Sequence, residues 1–322
     1  MRYKPLFILL IFLFMVIGCG VKQTVKGEYY LLEKKYEQGI LAFQNELKEK
    51  PGEPKVHFYL GRLYLADNNP KDGLVHIKRA TELEPSNADY LFWLGVAYSE
   101  NKQGGMERKS YEKALALNPN HLQSRIYLAH NQLERKRYKE ALANYNFVLK
   151  KWPDEPASLY NRALILNKLR RTEEEKLAWK EYLDFYGAGP MARRATDHLN
   201  KLGDFSYRNY LIGLRTVTMR RIQFEPLTTE LTSDSKDALK FLGEVLANAQ
   251  NVSIHIVAYQ KNNKKLAEQR AKSIKKYLLD RFSKLTSDRL KVAWFGVPET
   301  IKVGRKRFQE NESINFLTFS KK

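Results

Sequence analysis

The sequence contains a single cysteine, Cys19, among its 322 residues. No disulfide can therefore form within one chain, and a fold stabilised by cross-links is excluded. The six histidines are scattered, without the short paired spacing that is typical of a metal site. The sequence also has no nucleophile elbow, no Walker loop and no dinucleotide-binding glycine pattern. We therefore expect no metal, no cofactor and no catalytic activity.

Acidic residues are scarce relative to basic ones. The chain has 36 aspartates and glutamates against 56 lysines and arginines, which gives a formal net charge of +20. Such a chain is attracted to anionic partners: nucleic acid, phospholipid headgroups, acidic polysaccharide or acidic protein. The hydrophobic content of 43% is ordinary for a folded chain, and the length indicates about two domains.

Long apolar runs are also lacking, and the longest lies near the start of the chain. The run from Leu6 to Ile17 has about 12 residues, which is short against the roughly 20 that span a bilayer. It follows Arg2 and Lys4 and leads into Cys19. This arrangement resembles a bacterial lipoprotein signal peptide, residues 1–19, whose cysteine is lipidated. The resemblance implies export to the periplasm, where nucleic acid is not an expected partner.

From Gly20 to Gly189 one pattern recurs five times at a spacing of 34 residues. Three positions of the pattern recur as columns in the aligned copies: a small residue and a large apolar residue in all five, and a closing proline in the first four. The small residues are Gly27, Gly61, Gly95, Ala129 and Ala163. The large ones are Phe43, Ile77, Tyr111, Tyr145 and Trp179. The prolines are Pro51, Pro85, Pro119 and Pro153. A fixed period of this length predicts stacked helical hairpins.

Each column has a physical reason. The small residue lets helix A approach helix B of the same hairpin, the large one fills the space between one hairpin and the next, and proline ends helix B. The pattern resembles the tetratricopeptide repeat (TPR) and predicts an α-solenoid of five TPR helical hairpins over residues 20–189. The fifth copy departs at Glu175, Tyr182 and Gly187, as a terminal, partly capping repeat would. An apolar stripe over 191–202 predicts a capping helix within residues 190–203.

In TPR arrays the A helices line the inner face, so positions on that face predict a groove for a protein partner. The predicted groove residues are Phe58, Arg62, Phe92, Ile126, His130 and Tyr160. The alternative is that these side chains only pack adjacent A helices together. The sequence does not show the regular lysine, asparagine and arginine pattern of TPRs that clamp C-terminal carboxylates.

After residue 203 the apolar periodicity changes. Strands are predicted over 217–224, 252–259, 290–295 and 313–319, with helices over 235–249 and 264–282. The apolar face of the first helix is predicted to hold Ala238, Phe241, Leu242, Val245 and Ala249, and that of the second Ala267, Ala271, Ile274 and Leu278. The order strand, helix, strand, helix, strand, strand predicts a smaller α+β domain over residues 204–322.

The segment from Leu266 to Ile274, followed by Tyr277 and Leu278, resembles the second-helix motif of the OmpA-like domain. The segment Ile222 to Phe224 matches that family's first strand. The resemblance implies binding of the peptidoglycan stem peptide, with diaminopimelate held between an aspartate after the second strand and an arginine of the second helix.

Two residues of this chain fall on those positions. Arg270 matches the arginine, whereas Lys261 stands at the aspartate position. The family's Asn-Arg-Arg before the last strand reads here as Asn311, Glu312 and Ser313. A lysine repels the ammonium that the aspartate would pair with, so we expect weak or no peptidoglycan binding. Lys261 and Arg270 together suit a ligand with two negative groups, such as an acidic peptide or an anionic envelope polymer.

Three functional hypotheses follow from these patterns. The first is a lipid-anchored periplasmic adaptor whose repeats bind a protein partner of an envelope assembly, such as secretion, pilus or polysaccharide-export machinery. Its second domain would contact the cell wall or another subunit. The second is a peptidoglycan tether in which the repeats are a spacer. The third is an accessory subunit of an envelope enzyme that acts on an anionic polymer.

We predict that Cys19 carries lipid and anchors the protein at the periplasmic face of the outer membrane. Gly20 follows it, rather than the aspartate associated with inner-membrane retention. Metabolic labelling with a palmitate analogue should mark the wild-type protein and not the Cys19→Ser variant. Equal labelling of both proteins would contradict the prediction.

Overall fold

The structure is a computed structural model that describes residues 21–249 and 251–319. Cys19 and the predicted signal peptide lie outside the described residues. The chain divides into two compact units, the first ending at Lys151 and the second beginning at Trp152. The division falls inside the repeat array, between the fourth and fifth copies of the 34-residue pattern.

Residues 21–151, the described part of the first unit, form four helical hairpins. Helix A of each hairpin is 21–32 (α1), Pro54–Ala66 (α3), Ala88–Glu100 (α5) and Leu122–Glu134 (α7). Helix B of each is Tyr36–Glu49 (α2), Pro70–Leu83 (α4), Gly104–Leu117 (α6) and Tyr138–Lys151 (α8). The helices begin where the sequence pattern placed the repeats, and each helix B ends two residues before its proline. The solenoid prediction is confirmed.

The turn between helix A and helix B is the same in every copy. One non-glycine residue in each turn has a positive φ, between 55° and 60°. These residues are Lys34, Asn68, Lys102, Lys136 and Arg170, again 34 positions apart. Side chains other than glycine rarely adopt this left-handed conformation, so five repetitions show that helix packing imposes the turn.

The small-residue column allows the close approach that the sequence predicted. A Cβ atom added to Gly95 would lie 2.2 Å from the ring of Tyr111, which belongs to helix B of the same hairpin. The fully buried Tyr111 ring also lies 6.0 Å from that of Tyr127 in the next hairpin. The large residue thus packs within its own hairpin as well as between hairpins, whereas the sequence analysis assigned it only to the space between them.

The second unit begins with the fifth hairpin, formed by Pro156–Lys168 (α9) and Thr172–Phe185 (α10), and continues into Gly189–Lys201 (α11). Glu175 stands where the first, second and fourth copies have a small residue and the third has Glu107. Glu175 is buried and accepts hydrogen bonds from Asn167 and from the Trp179 indole. The ring of His198 on α11 stacks on Trp179 at 4.9 Å. Helix α11 therefore covers the aromatic side chain of the last hairpin.

The rest of this unit is a small α+β domain. Its strands are Tyr207–Ile212 (β1), Arg215–Arg220 (β2), Ser253–Gln260 (β3), Leu290–Phe295 (β4), Glu299–Val303 (β5), Lys306–Glu310 (β6) and Glu312–Phe319 (β7). Its helices are Ser233–Asn248 (α12) and Lys264–Arg281 (α13). The central sheet has the order β4-β3-β7, with β3 parallel to β4 and antiparallel to β7. Strands β1 and β2 form one antiparallel pair, and β5 and β6 form another.

The sequence analysis missed three of these strands. The predicted strand over 217–224 ends at Arg220, and Phe224 makes only an isolated bridge to Leu231. Strands β1, β5 and β6 were not predicted. Arg208 of β1 is buried against Glu299 of β5, with 2.7 Å between guanidinium and carboxylate. Charged residues that are buried as a pair give no apolar alternation, so the pattern could not indicate β1 or β5.

The predicted apolar face of α12 is partly wrong. Phe241 is exposed, and the large apolar side chains that are fully buried are Leu239, Leu242 and Leu246. Gly243 lies directly under the ring of Phe282, which follows α13. Phe282 packs against α12 at Gly243, which has no side chain. The buried face of α12 is therefore turned toward α13 relative to the predicted face. The predicted stripe of α13, from Ala267 to Leu278, is confirmed as buried.

Ion pairs join the fifth hairpin to the sheet domain within this unit. Arg220 of β2 contacts Asp184 of α10 at 2.6 Å and also pairs with Asp234 of α12. The Tyr207 hydroxyl donates to the same Asp184 carboxylate at 2.5 Å. The fifth repeat, predicted as the end of the array, is thus part of the same compact unit as the sheet domain.

We predict that Gly95→Ala lowers the free energy of unfolding by about 1–3 kcal/mol, the usual range for overpacking a buried contact. The added methyl group would collide with Tyr111, which outweighs the gain of about 1 kcal/mol in helix propensity. Gly105→Ala is the matched control, because a Cβ atom there meets nothing within 4 Å. Urea denaturation measures both. Equal stability of Gly95→Ala and wild type would show that the hairpin does not need this close approach.

Candidate functional site

Three of the predicted groove residues are largely withdrawn from solvent. Phe58, Phe92 and Ile126 are each no more than 8% exposed. The Phe58 ring stacks on that of Tyr90 at 4.6 Å, and the Phe92 ring meets that of Tyr127 edge-on at 5.2 Å. These side chains pack neighbouring helices together, and a partner could touch only their edges. Their role in a partner groove stays a prediction.

Tyr160 lies in the second unit, on α9. It is half-buried, and its ring meets the Trp179 ring edge-on at 5.0 Å. Burial raises the pKa of its hydroxyl, which therefore stays protonated at neutral pH. Tyr160 thus keeps part of its surface available to a partner while it supports the fifth hairpin.

Arg62 and His130 retain part of their surface in the first unit. The Arg62 guanidinium lies 4.5 Å from the centre of the Trp93 ring and 2.5 Å from the Glu28 carboxylate. The Tyr59 hydroxyl donates to the same carboxylate at 3.2 Å. The charge of Arg62 is therefore already balanced, so it is poorly placed to bind a carboxylate terminus.

The sequence analysis missed a neighbouring column on the same helices. Trp93 is half-buried and Tyr127 is 41% exposed, and both occupy the sixth place of their helix A. His130 lies next to this column, with its ring 5.8 Å from that of Tyr127. The sequence did contain an indication of this column, because Trp93 directly follows Phe92. Two successive residues of a helix point in different directions, so these two aromatic side chains cannot both lie in the same packing layer. Exposed aromatic rings of this kind favour contacts with a protein partner.

The second candidate site surrounds Arg270 on α13. Its side chain is only 3% exposed and lies over the Phe224 ring at 4.7 Å. Its Nε donates to the Thr228 carbonyl at 2.9 Å, and its Nη1 donates to Gln260 at 2.5 Å and to the Glu312 carboxylate at 2.9 Å. Arg270 is thus an internally paired arginine, with only Nη2 lacking a partner among the described residues.

Lys261 and Glu312 lie at the same end of the central sheet. Gln260, the last residue of β3, is paired in register with Glu312, the first residue of β7. Lys261 follows directly, with an exposed side chain and a backbone N–H that donates to the Asn311 carbonyl at 2.7 Å. The acidic group of this site therefore stands on β7, beside Arg270, and not at the position after β3.

The space around Arg270 is closed. The cavity lined by Arg270, Phe224, Tyr259 and Glu312 has a volume of about 10 Å³, enough for one water molecule at most. Arg221, which pairs with Glu310 and donates to the Glu312 carbonyl, lines the same space. An amino-acid ligand cannot reach Arg270 unless the pair with Glu312 opens.

The part of the chain that the structure describes holds no group of three or more His, Cys, Asp or Glu side chains placed to bind a metal ion. Over residues 21–249 and 251–319, no helix combines the length and the apolar character needed to cross a membrane.

Two protein families match this chain. Residues 58–121 and 127–190 match the tetratricopeptide repeat, and residues 223–312 match the OmpA family. The second match begins beside Phe224 and ends at Glu312, so it includes Arg270, Gln260 and Glu312 but not Arg221. Repeat arrays of the first kind are protein-interaction scaffolds, and the OmpA family is associated with the bacterial envelope.

Several solved structures resemble the repeats. A structure described as the functional characterization of Pseudomonas aeruginosa pilF is 18% identical with a TM-score of 0.50, covering 58% of this chain and 90% of that one. PilW, described as a widely conserved type IV pilus biogenesis factor, is 14% identical with a TM-score of 0.49, covering 55% and 86%. MamA is 18% identical with a TM-score of 0.47, covering 50% and 94%.

At these identities the first structure shows the repeat fold alone. The chain therefore carries tetratricopeptide repeats over residues 58–121 and 127–190 and an OmpA-family domain over residues 223–312.

Proposed function

We propose that the protein is a lipid-anchored adaptor of the bacterial envelope. The lipid would be attached to Cys19 at the periplasmic face of the outer membrane, and the repeats would hold a protein partner of a secretion, pilus or polysaccharide-export assembly. The observation that carries the proposal is the combination of TPR hairpins with an OmpA-family domain whose ligand site is closed by its own salt bridge.

The exposed aromatic column of the first unit supports binding on the inner face. Trp93 and Tyr127 offer large, rigid contact surfaces that lose little conformational entropy when a partner binds. Arg62 and His130 border them and supply polar contacts at the edge. The partner would contact this column, while Phe58, Phe92 and Ile126 support it from below.

We predict that a photo-crosslinking amino acid at position 127 captures one discrete partner in the native envelope. Trp93→Ala should reduce that product at least about tenfold, since interface aromatic residues contribute on the order of 2 kcal/mol or more. The control carries the same crosslinker at position 41, where Leu41 is exposed on α2, a helix B.

An equal product from both positions, or none from position 127, would contradict partner binding on this face. Phe92→Ser is expected to unfold the first unit and should not be used as a binding variant, because Phe92 is buried among aromatic rings. Circular dichroism of each variant distinguishes loss of binding from loss of structure.

The second candidate function is a peptidoglycan tether, which the OmpA-family match favours. The site geometry argues against it. Lys261 would repel the ammonium of diaminopimelate. The carboxylate of diaminopimelate would need the Arg270 guanidinium, which is already paired with Glu312. At 4 Å each unit-charge interaction is about 4 kcal/mol at an effective dielectric of 20, before screening by salt. A fraction of this exceeds the 1.4 kcal/mol of a tenfold affinity change.

We predict that the chain from residue 20 to 322 sediments weakly or not at all with purified diaminopimelate-type sacculi. The double variant Lys261→Asp, Glu312→Arg restores the family's charges at both positions and should increase the bound fraction. Adding Arg270→Ala to that variant should remove the gain. Clear sedimentation of the wild type that Arg270→Ala abolishes would show that the site works despite Lys261, and would favour the tether.

A further inference from the structure

A cavity of about 570 Å³ opens between α4 and α6 in the first unit. Its floor is apolar and comes from α5, with Leu91 and Tyr98 buried and Leu94 half-buried. Met106 and Leu117 of α6 lie in the lining and are more than 40% exposed. The volume is within the usual range of about 300–1,000 Å³ for ligand-binding pockets.

The repeat register explains why this cavity exists. In the second repeat, the fourth residue of helix A and the seventh of helix B meet across the hairpin: His57 and His76 are 3.1 Å apart between their Nδ1 atoms. In the fourth repeat the same places hold Arg125 and Asn144, and the guanidinium donates to the amide oxygen at 3.2 Å. Polar side chains therefore bridge the equivalent space in both neighbours.

The third repeat lacks this bridge. The equivalent residues are Leu91 and Ser110, and the Ser110 hydroxyl donates to the Met106 carbonyl of its own helix at 2.9 Å. At the tenth place of helix B, the fourth repeat has Phe147, whose ring lies 3.7 Å from the Arg125 guanidinium. The third repeat has Lys113 there, which is exposed. The side chains that fill the groove of the fourth repeat are thus replaced, in the third repeat, by side chains that leave the equivalent groove empty.

The rim of the cavity is positively charged. It holds Lys78, Lys109 and Lys113, all exposed and without an ion pair in the described part of the chain. The single acid of the lining, Glu82, is paired with Arg79 at 3.3 Å. An apolar floor beneath three unpaired lysines is complementary to a ligand that is apolar at its centre and acidic at its edges.

We propose that this cavity binds an acidic segment of a partner protein, which inserts one or two large apolar side chains while its carboxylates pair with the lysines. A protein segment provides both features at a spacing that suits two facing helices. Neither Trp93 nor Tyr127 lines this cavity, so it gives the adaptor a second protein-binding surface. The proposal does not depend on the inner face binding a partner.

Fluorescence anisotropy with the chain from residue 20 to 322 tests the proposal. The probe is a labelled nine-residue peptide that alternates glutamate with leucine and phenylalanine, and its matched control has lysine in place of glutamate. We expect the acidic peptide to bind at least tenfold more tightly than the basic one. The variant Lys109→Glu, Lys113→Glu should weaken acidic-peptide binding at least tenfold, whereas Lys71→Glu, an exposed change on α4 outside the lining, should not.

A second variant fills the cavity with the side chains of the fourth repeat: Leu91→Arg, Ser110→Asn and Lys113→Phe. It should lose peptide binding while its thermal denaturation, followed by circular dichroism, stays close to that of the wild type. If this variant fails to fold, the lysine variant still decides the question.

Two results would overturn the proposal. One is equal binding of the acidic and basic peptides. The other is tighter binding of oleate than of the acidic peptide, with the oleate released by Lys109→Glu, Lys113→Glu, which would assign the cavity to an acyl chain with an anionic head. The crosslinking result at position 127 is independent of either outcome.

Discussion

The repeat array depends on the contact between a small residue on one helix and a large side chain on its neighbour. Gly61 lies against Ile77 and Gly95 against Tyr111, so closely that a methyl group on either glycine would collide with its partner. Close packing of this kind is sensitive to the size of single side chains, so it fixes where helix B must begin relative to helix A. The left-handed residue in each turn, such as Lys102, is held in place by that requirement.

Because this contact fixes the register, other positions in the repeat can vary without changing the fold. The fourth place of helix A holds His57, Leu91 and Arg125 in successive copies. Two of these bridge the hairpin with hydrogen bonds and one leaves a cavity above an apolar floor. In a solenoid each repeat contacts only its neighbours, so one repeat can acquire a binding surface while the others remain purely structural.

The second unit is organised by buried or half-buried arginines. Arg208 pairs with Glu299 and Arg270 with Glu312, in both cases joining segments that are distant in sequence. Removing charges from water is costly unless the partner is well placed, so such pairs constrain the arrangement of the strands more than they add to stability. At Arg270 the pairing with Glu312 leaves only Nη2 without a hydrogen-bond partner among the described residues.

The sequence determined the number and boundaries of the hairpins, the stripe of α13 and the class of both domains. Glycine, proline and aromatic positions act through local packing and backbone geometry, and their effects repeat every 34 residues. Only the tertiary structure revealed strands β1, β5 and β6, the exposure of Tyr127 and the pairing of Arg270. The physical reason is that these features depend on contacts between residues that are distant in sequence. An ion pair of this kind, or a groove filled by a neighbouring helix, produces no repeating pattern in the sequence.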